Sequence, residues 1–383
     1  MSQSAPQSRI PMLNIARQTA SIRPALDAAI ARVMDHGQFI NGPEVRELEE
    51  RMASYCGTRY AVACASGTDA LLLPLMALGA GPGHRVITSP FTFFATAGSI
   101  SRVGARPVFI DIDPATFNLD PAAVGRYLES LPADEIGTIK AIIPVHLFGQ
   151  CARMDSINEL AQHFGIPVIE DAAQAIGAEF QGQRAGALGH CATFSFFPSK
   201  NLGGAGDGGM ITTDDESLAQ KLRILKEHGG EQRYYHRVVG TNSRLDTLQA
   251  AILLAKFPHI DAWTNRRIAN AAFYAEKLGQ LSAKAIGLPV VSPSGRHVFN
   301  QFTIQVTNRD LVQQKLNEAG IASAIYYPVP LHLQECFAAL GYLPGDLPHS
   351  ERAAANVLSI PNDPELTAEE RDQVALAVAA ALQ

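Results

Sequence analysis

Cysteine is sparse in this sequence and follows no pattern that is typical of a metal site. The five cysteines are scattered over 383 residues, and no two of them form a C-x-x-C pair. Such short spacings are typical of zinc sites, and an even number of closely spaced cysteines is typical of small disulfide-bonded proteins. We therefore expect neither a metal site nor a disulfide framework.

Basic runs and long apolar runs are missing as well. The formal net charge is -6 and no basic stretch stands out, which argues against a nucleic-acid partner. No apolar run has the length of a membrane span, and the first residues lack the apolar core of a signal peptide. With 47% hydrophobic and 18% charged residues, the composition is typical of a soluble globular protein. We expect a cytoplasmic protein without a membrane partner.

Strand-like and helical segments alternate over the first two thirds of the chain. Helical patterns such as 68–78 and 154–164 lie between short β-branched runs that predict strands. These runs are 60–64, 85–88, 107–111, 139–145, 166–170 and 192–196. Such alternation predicts an α/β fold whose mainly parallel sheet has helices on both faces.

The last third of the chain has a different pattern. A helical stretch at 246–281, bent near Pro258, precedes a strand at 297–306, a helix, a short strand at 322–326 and further helices. We expect residues 1–250 to form an N-terminal arm and a large α/β domain. Residues 251–383 are expected to form a linking helix and a smaller α+β domain.

Lys200 stands alone among small, apolar and glycine residues. No acidic residue lies within six positions on either side of it, and five of the sixteen residues at 195–210 are glycine. Desolvation lowers the pKa of a lysine readily, which keeps part of the amine neutral and nucleophilic. The setting suits covalent chemistry, although the glycine-rich segment taken alone is also compatible with an ordinary loop.

Two further strand ends carry groups that suit an anionic ligand. Ligands of parallel α/β sheets lie beyond the carboxyl ends of the strands. Gly67 and Thr68 follow one strand and open a helix, whose free N–H groups suit a phosphate, although a simple helix cap explains them as well. Asp171 follows another strand, where a cap is again the alternative. Together with Lys200 they fit pyridoxal phosphate, which forms a Schiff base with a lysine and needs a carboxylate at its ring nitrogen.

Several segments, in this order, resemble the DegT/DnrJ/EryC1/StrS family of nucleotide-sugar aminotransferases. They include ASGTDAL, IPVIEDAAQAIGA, FSFFPSKNLGGAGDGG and GTNSRLDTLQAAIL, and the resemblance covers nearly the whole chain. It implies pyridoxal phosphate as the cofactor and fold type I, in which a seven-stranded sheet lies between helices in the large domain. It also implies a homodimer whose subunits share their active sites.

The resemblance assigns roles to individual residues. Lys200 would form the Schiff base, Asp171 would pair with the pyridine nitrogen, and Gln174 would contact the phenolic oxygen of the ring. The other cofactor contacts would be Gly67, Thr68 and Ser195 at the phosphate, Phe93 on the ring face, and Asn242 at the phosphate of the other subunit. Without the resemblance, Phe93 is as easily a core residue and Asn242 a cap.

The implied reaction has two halves. L-Glutamate would convert the cofactor to pyridoxamine phosphate, and a nucleotide-linked keto-sugar would then take up the amine. Lys200 would carry the proton between the cofactor and the substrate carbon. Related dehydratases of this fold have histidine in its place, so a lysine favours transamination.

Two sugars are compatible with the sequence. Asp207 stands where enzymes that aminate C4 tend to have glutamate, which favours C3. Other segments are similar to the enzymes that aminate UDP-2-acetamido-2-deoxy-3-oxo-glucuronate, and the substrate contacts implied there are Arg244, Tyr326, Tyr327 and His332. Tyr326 replaces a histidine of those enzymes, so a dTDP-linked 3-oxo-6-deoxyhexose remains an alternative. His332 is equally compatible with a structural role.

Other readings remain open beside the transaminase. Residues 233, 234, 236 and 237 (Arg, Tyr, His, Arg) could meet the diphosphate or form a solvated loop. A non-catalytic regulatory protein that binds the cofactor or the sugar is an alternative of another class, but it has no need of Lys200. An amino-acid decarboxylase or a cysteine desulfurase is disfavoured by the order of the motifs.

Overall fold

The computed structural model describes residues 9–232, 234–281 and 286–383. None of the helices in these ranges combines the length and apolar character that crossing a membrane requires. The α-helices are α1 (Ile15–Ser21), α2 (Arg23–His36), α3 (Pro43–Cys56), α4 (Gly67–Ala77), α5 (Ala95–Arg102), α6 (Pro121–Ser130), α7 (Ala133–Ile136), α8 (Met154–Phe164), α9 (Glu216–Lys226), α10 (Thr247–Lys256), α11 (Ile260–Leu278), α12 (Arg309–Glu318), α13 (Pro348–Asn356) and α14 (Ala368–Ala381). Short 3-10 turns occur at Leu147–Gly149, Phe257–His259, Leu331–Leu333 and Glu335–Leu340.

The strands alternate with these helices in the first part of the chain and become sparse after it. They are β1 (Tyr60–Cys64), β2 (Arg85–Thr88), β3 (Arg106–Phe109), β4 (Ile139–Ile143), β5 (Ile169–Asp171), β6 (Glu179–Phe180), β7 (Gln183–Arg184), β8 (Cys191–Ser195), β9 (Gly209–Thr213), β10 (Gly230–Gln232), β11 (Tyr235–His236), β12 (Ile286–Gly287), β13 (Gly295–Arg296), β14 (Phe302–Val306) and β15 (Val357–Ile360).

The central sheet has the strand order β3-β2-β4-β5-β8-β9-β1. Two hydrogen-bonded ladders, β3-β2-β4 and β5-β8-β9-β1, are joined by parallel bridges from the β4 region to the β5 region. Every strand is parallel to the others except β9, which runs antiparallel to both of its neighbours. The expected mainly parallel sheet is thus confirmed. Strand β9 was not predicted; it is fully buried and directly follows the glycine-rich segment.

Helices cover both faces of this sheet, as the sequence predicted. Along β1, Ala61 and Ala63 pack into one apolar cluster, and the alternate residues Val62 and Cys64 pack into another. The first cluster includes α3, α6, α8 and α10, and the second includes α4, α5 and α9. This alternation follows from the two-residue period of a strand.

The later elements form a second core around β14. Strands β12, β14 and β15 make an antiparallel sheet, and apolar residues of α11, α12 and α14 pack with it. The predicted helix bend near Pro258 is confirmed, because a 3-10 turn separates α10 from α11. The domain boundary after residue 250 stays a prediction.

Three strand predictions in this second part were inaccurate. The strand expected at 297–306 begins only at Phe302, because Val298 instead donates its N–H to the carbonyl of Gly149. The short strand expected at 322–326 is absent from the described residues, where Ala322 donates to Ile10 and Ala324 forms a single bridge with another segment. Strand β15 lies where the sequence analysis placed only helices.

Candidate functional site

Asp171 is the last residue of β5 and lies beside β8, which leads toward Lys200. Its side chain is buried. Its Oδ2 accepts a hydrogen bond from Thr96 Oγ1 at 2.7 Å, and its Oδ1 accepts one from the N–H of Ala173 at 3.2 Å. Burial raises the pKa of Asp171, and these two bonds and the charge of Lys200 oppose that rise. The carboxylate is therefore desolvated and held by specific donors.

Lys200 lies close enough to Asp171 for the two charges to interact. Burial lowers the pKa of Lys200 from its ordinary value to about 8, although the negative charge of Asp171 acts in the opposite direction. At pH 7 about one lysine in ten is then neutral. The structure thus brings Lys200 near Asp171, and their roles at a cofactor stay predictions.

Gly67 and Ser195 are packed against each other where β1 and β8 end. A Cβ atom added to Gly67 would lie 2.6 Å from the Cβ and 2.9 Å from the Oγ of Ser195, so only glycine fits. Gly67 is the first residue of α4, whose cap is Ser66 and not Thr68, since Ser66 accepts a hydrogen bond from the N–H of Asp69. The hydroxyl group of Ser195 therefore lies next to the first turn of α4.

Gln174 connects the turn after β5 to two other segments. Its Oε1 accepts a hydrogen bond from the N–H of Phe148 at 2.6 Å, and its Nε2 donates to the hydroxyl of Tyr327 at 3.0 Å. The Tyr327 ring in turn lies 6.2 Å from the exposed ring of Phe93. Burial raises the pKa of Tyr327, as does the charge of Asp171. The structure thus brings Asp171, Gln174, Phe93 and Tyr327 together.

The predicted contacts from the segment after α9 lie in a different group. Asn242 is exposed, and its backbone pairs with Glu227. Arg244 Nη1 lies 3.0 Å from Glu227 Oε2, and Asn41 donates to the other oxygen of this carboxylate. Among the described residues, no hydrogen bond or ion pair links this group to Lys200, and the role of Asn242 at the phosphate of another subunit stays a prediction.

His332 lies with Glu351 instead of with the cofactor residues. Its ring is buried, and its Nε2 lies 3.2 Å from Glu351 Oε1. The role of His332 in sugar binding stays a prediction. Asp207 is exposed.

In the basic and aromatic segment, Arg233 lies outside the described residues. Arg237 is exposed and pairs with Glu231, and the ring of His236 contacts the carbonyl of His228. The described contacts are those of a solvated hairpin, and the proposed role of this segment at a diphosphate stays a prediction.

The sequence profile of the DegT/DnrJ/EryC1/StrS aminotransferase family matches residues 20–379. The chain belongs to this family. A solved structure, "X-ray crystal structure of S. venezuelae DesV in complex with ketimine intermediate", superposes with a TM-score of 0.94 at 41% identity and covers 98% of this chain and 99% of that chain. The DegT/DnrJ/EryC1/StrS members use pyridoxal phosphate, so this protein is a pyridoxal phosphate-dependent sugar aminotransferase.

Three relatives carry different names. A "pleiotropic regulatory protein" of Geobacillus stearothermophilus is 50% identical over 95% of this chain and 96% of that protein. The UDP-2-acetamido-2-deoxy-3-oxo-D-glucuronate aminotransferase of Pseudomonas aeruginosa is 46% identical over 93% and 96%. The dTDP-3-amino-3,4,6-trideoxy-alpha-D-glucose transaminase of Streptomyces venezuelae is 42% identical over 96% and 94%.

The residues of this family member fit the cofactor. The close approach of Gly67 to Ser195 leaves a helix N-terminus and a hydroxyl group side by side, which suits a phosphate. Asp171 is a desolvated carboxylate that would gain a cationic partner from a protonated ring nitrogen. Lys200 supplies an amine whose pKa is lowered to about 8, as a nucleophile requires.

Sequence reasoning missed the residues that hold these groups in place. Thr96 lies in the segment FTFFAT (91–96), where nothing in the sequence distinguishes it from Thr92. His146 and Glu170 are completely buried, and His146 Nε2 lies 2.9 Å from Glu170 Oε2. A polar pair in otherwise apolar strand ends was the available signal, because buried charged residues are rare unless they are paired.

Proposed function

We propose that this protein transfers the amino group of L-glutamate to C3 of a nucleotide-diphosphate-linked 3-keto sugar, with UDP-2-acetamido-2-deoxy-3-oxo-glucuronate as the preferred substrate. Such a reaction would serve the synthesis of amino sugars for surface polysaccharides. The observation that carries the chemistry is the desolvated Lys200 within the field of Asp171. The 46% identity to the P. aeruginosa enzyme supports a UDP-linked 3-keto sugar, and the printed name of that enzyme supplies the uronate.

Three residues of this chain have separate roles in the proposed reaction. Bound pyridoxal phosphate supplies an electron sink for negative charge on the substrate carbon. The Nζ of Lys200 accepts a proton from the α-carbon of glutamate and later returns a proton to the sugar carbon; positioned transfer of this kind contributes typically about 100- to 10,000-fold in rate. Asp171 would stabilise positive charge at the ring nitrogen. Gln174, whose amide already donates one N–H to Tyr327, would present its other N–H to the phenolic oxygen.

We propose further that the active form is a homodimer. The segment around β11 exposes apolar side chains, and Tyr235, Val238 and Val239 are 68%, 49% and 90% exposed. If this segment contacts a second subunit, Asn242, which follows it in the chain, would lie at the cofactor phosphate of that subunit. Sedimentation of the holoenzyme should give twice the mass of the 41.0 kDa chain. The cytoplasmic location expected from the sequence stays a prediction.

A second candidate substrate is a dTDP-linked 3-oxo-6-deoxyhexose, which lacks a carboxylate. The positive charge of Arg244 is already matched by Glu227 at 3.0 Å. Burial raises the pKa of Tyr326, so this side chain is neutral where the similar enzymes have histidine. Neither group offers an unmatched positive charge to a uronate, and this is the observation that keeps the neutral sugar as the second candidate.

Single-turnover assays with both nucleotide sugars decide between the candidates. The enzyme is first converted with glutamate to its amine form, and the loss of that form is then followed after addition of each keto-sugar. We expect faster turnover with the uronate, and Arg244→Gln should lower kcat/KM for the uronate more than for the deoxyhexose. Faster turnover of the deoxyhexose, with equal losses in the Arg244 variant, would select the second candidate. A chain that binds the cofactor but is not converted to the amine form by glutamate would support a regulatory role.

A further inference from the structure

Glu170 is a buried carboxylate that is held entirely by N–H donors. Its Oε1 accepts hydrogen bonds from the backbone of Leu188 and Gly189, both at 2.8 Å. Its Oε2 accepts one from Gly186 at 3.0 Å and lies 2.9 Å from His146 Nε2. Four donors leave neither oxygen free to carry a proton, so this side chain is an anion.

The neighbouring histidine is neutral in this arrangement. His146 Nδ1 lies 3.1 Å from the backbone nitrogen of Ala152, which can only donate. The ring proton is therefore on Nε2 and points to Glu170. Among the described residues, no lysine or arginine lies within ion-pair distance of Glu170. The negative charge is thus buried without a cation, which is costly unless hydrogen bonds compensate it.

The position of Glu170 in the chain connects the buried pair of Glu170 and His146 to Asp171. Glu170 directly precedes Asp171 on β5, and successive side chains of a strand point to opposite faces. The backbone of His146 donates to the carbonyl of Asp171 at 2.9 Å, and the N–H of Asp171 donates to Pro144 at 2.9 Å. His146 is therefore bonded through its backbone to Asp171 and through its ring to Glu170.

The same turn also orients the second ring contact. Two residues after His146, the N–H of Phe148 holds Gln174 Oε1 at 2.6 Å, and this directs the amide N–H groups toward Tyr327 and the site. Residues 146–152 thus contact both Asp171 and Gln174. The hydrogen bond between His146 and Glu170 holds this turn to β5 on the face of the strand opposite the side chain of Asp171.

We infer that His146 and Glu170 are positioning residues, which together fix Asp171 and Gln174 against the pyridine ring of the cofactor. Groups behind a contact residue commonly set its geometry. This inference rests on the cofactor site of the proposed function but not on the identity of the sugar.

The test compares two replacements of the histidine in the full-length protein. His146→Gln places an amide N–H near the position of Nε2 and keeps the donor to Glu170. His146→Asn keeps an acceptor for Ala152 but loses the donor to Glu170. Loss of a hydrogen bond to a charged group changes an equilibrium constant about tenfold or more. We expect His146→Asn to weaken pyridoxal phosphate binding about tenfold and to shift the pH titration of its visible absorbance band, with a smaller change in His146→Gln.

His36 offers a matched control. Its Nδ1 accepts a hydrogen bond from the backbone of Gln38, and its Nε2 lies 3.2 Å from Glu44, which repeats the pattern of His146. We expect His36→Asn to leave the cofactor affinity and the absorbance titration unchanged. Thermal unfolding of each cofactor-free variant shows whether it is folded.

The outcomes separate positioning from a merely structural role. A folded His146→Asn variant with wild-type affinity and titration overturns the inference, even if its melting temperature falls. If this variant does not fold, Glu170→Gln is measured instead, and an unchanged affinity there overturns the inference equally. Neither readout uses a sugar, so a failure of the proposed substrate would appear separately, as a wild-type enzyme that binds the cofactor without aminating the keto-sugars.

Discussion

The side-chain nitrogen of Gln174 lies 3.0 Å from the hydroxyl oxygen of Tyr327. The orientation of this amide is determined by the chain itself, because the backbone N–H of Phe148 can only bond to the amide oxygen. Tyr327, assigned by resemblance to the sugar, therefore also contacts a residue assigned to the cofactor. The cofactor region and the sugar region that the resemblance predicts would therefore meet at this hydrogen bond.

Tyr327→Phe should weaken cofactor binding because it removes the acceptor that holds the amide of Gln174. A hydrogen bond of this kind contributes about 1 kcal/mol net, which corresponds to about fivefold in affinity. Equilibrium dialysis of pyridoxal phosphate measures the change. Tyr326→Phe is the control, since the hydroxyl of Tyr326 has no hydrogen-bond partner in the described part of the chain. Equal effects of both variants would contradict the prediction.

Thr96→Val should raise the pKa of Asp171, because the hydroxyl of Thr96 donates to this carboxylate and lowers its pKa. The acid limb of the pH–activity profile should then move to higher pH, since the carboxylate becomes ionised only at a higher pH. We also expect about a tenfold loss of cofactor affinity.

Thr92→Val provides the graded control for Thr96. The hydroxyl groups of Thr92 and Thr96 lie 3.0 Å apart, and the proton of Thr96 is engaged with Asp171, so Thr92 is the donor. Its removal should move the profile in the same direction by less. An unchanged profile in Thr96→Val would show that this hydroxyl does not act on Asp171.

Gly67→Ala should be destabilising because the new methyl group would lie 2.6 Å from the Cβ of Ser195. Overpacking of this kind costs about 1–3 kcal/mol, which denaturant unfolding measures. Gly137→Ala is a matched control, since nothing lies within 4 Å of its added Cβ. Gly67→Ala should also bind pyridoxal phosphate less tightly while its affinity for pyridoxal, which has no phosphate, changes little. Equal losses for both ligands would argue against a phosphate site at Gly67.

The capture of pyridoxal phosphate by the cofactor-free protein should depend on the ionisation of Lys200. Its pKa is about 8, and only the neutral amine attacks the aldehyde. Capture should therefore accelerate about tenfold between pH 7 and pH 9 and then level off, because the neutral fraction rises from about one tenth to about nine tenths. Stopped-flow absorbance follows the reaction. A rate that climbs steadily to pH 10 would indicate an ordinary, solvated lysine.

Asp171→Asn tests the sign of the interaction with Lys200. The carboxylate raises the pKa of the lysine, so its neutralisation should move the midpoint of the capture profile to lower pH. The affinity at equilibrium should fall nonetheless, because the ring nitrogen loses its anionic partner. A midpoint that moves upward would contradict the proposed contact.

Much of this arrangement was predictable from the sequence because strand ends and special residue types coincide there. Asp171 and Lys200 follow β-branched runs, and the topology of a parallel sheet brings such ends to one edge. Gly67 was predictable for the same reason. The antiparallel β9 was not, since its first residue, Gly209, continues the glycine-rich segment and leaves only four residues to indicate a strand.

The supporting residues could not be derived from local patterns. His146 and Glu170 are 24 positions apart in the chain, and only the pairing of β4 with β5 makes them neighbours. The segment at 322–326 illustrates the opposite error, since its residues favour a strand but find two different partners instead of one ladder. Local preference is overridden where tertiary contacts supply the hydrogen bonds.

The central claim, that the amine of Lys200 binds the cofactor covalently, is tested most directly by borohydride reduction of the holoenzyme. Borohydride delivers hydride to the carbon–nitrogen double bond and leaves a stable secondary amine, which peptide mass mapping can locate. We predict that the pyridoxyl group is found on the peptide that contains Lys200, and that folded Lys200→Ala carries none. A label on another lysine, or an unlabelled wild-type chain that still catalyses transamination, would contradict this account.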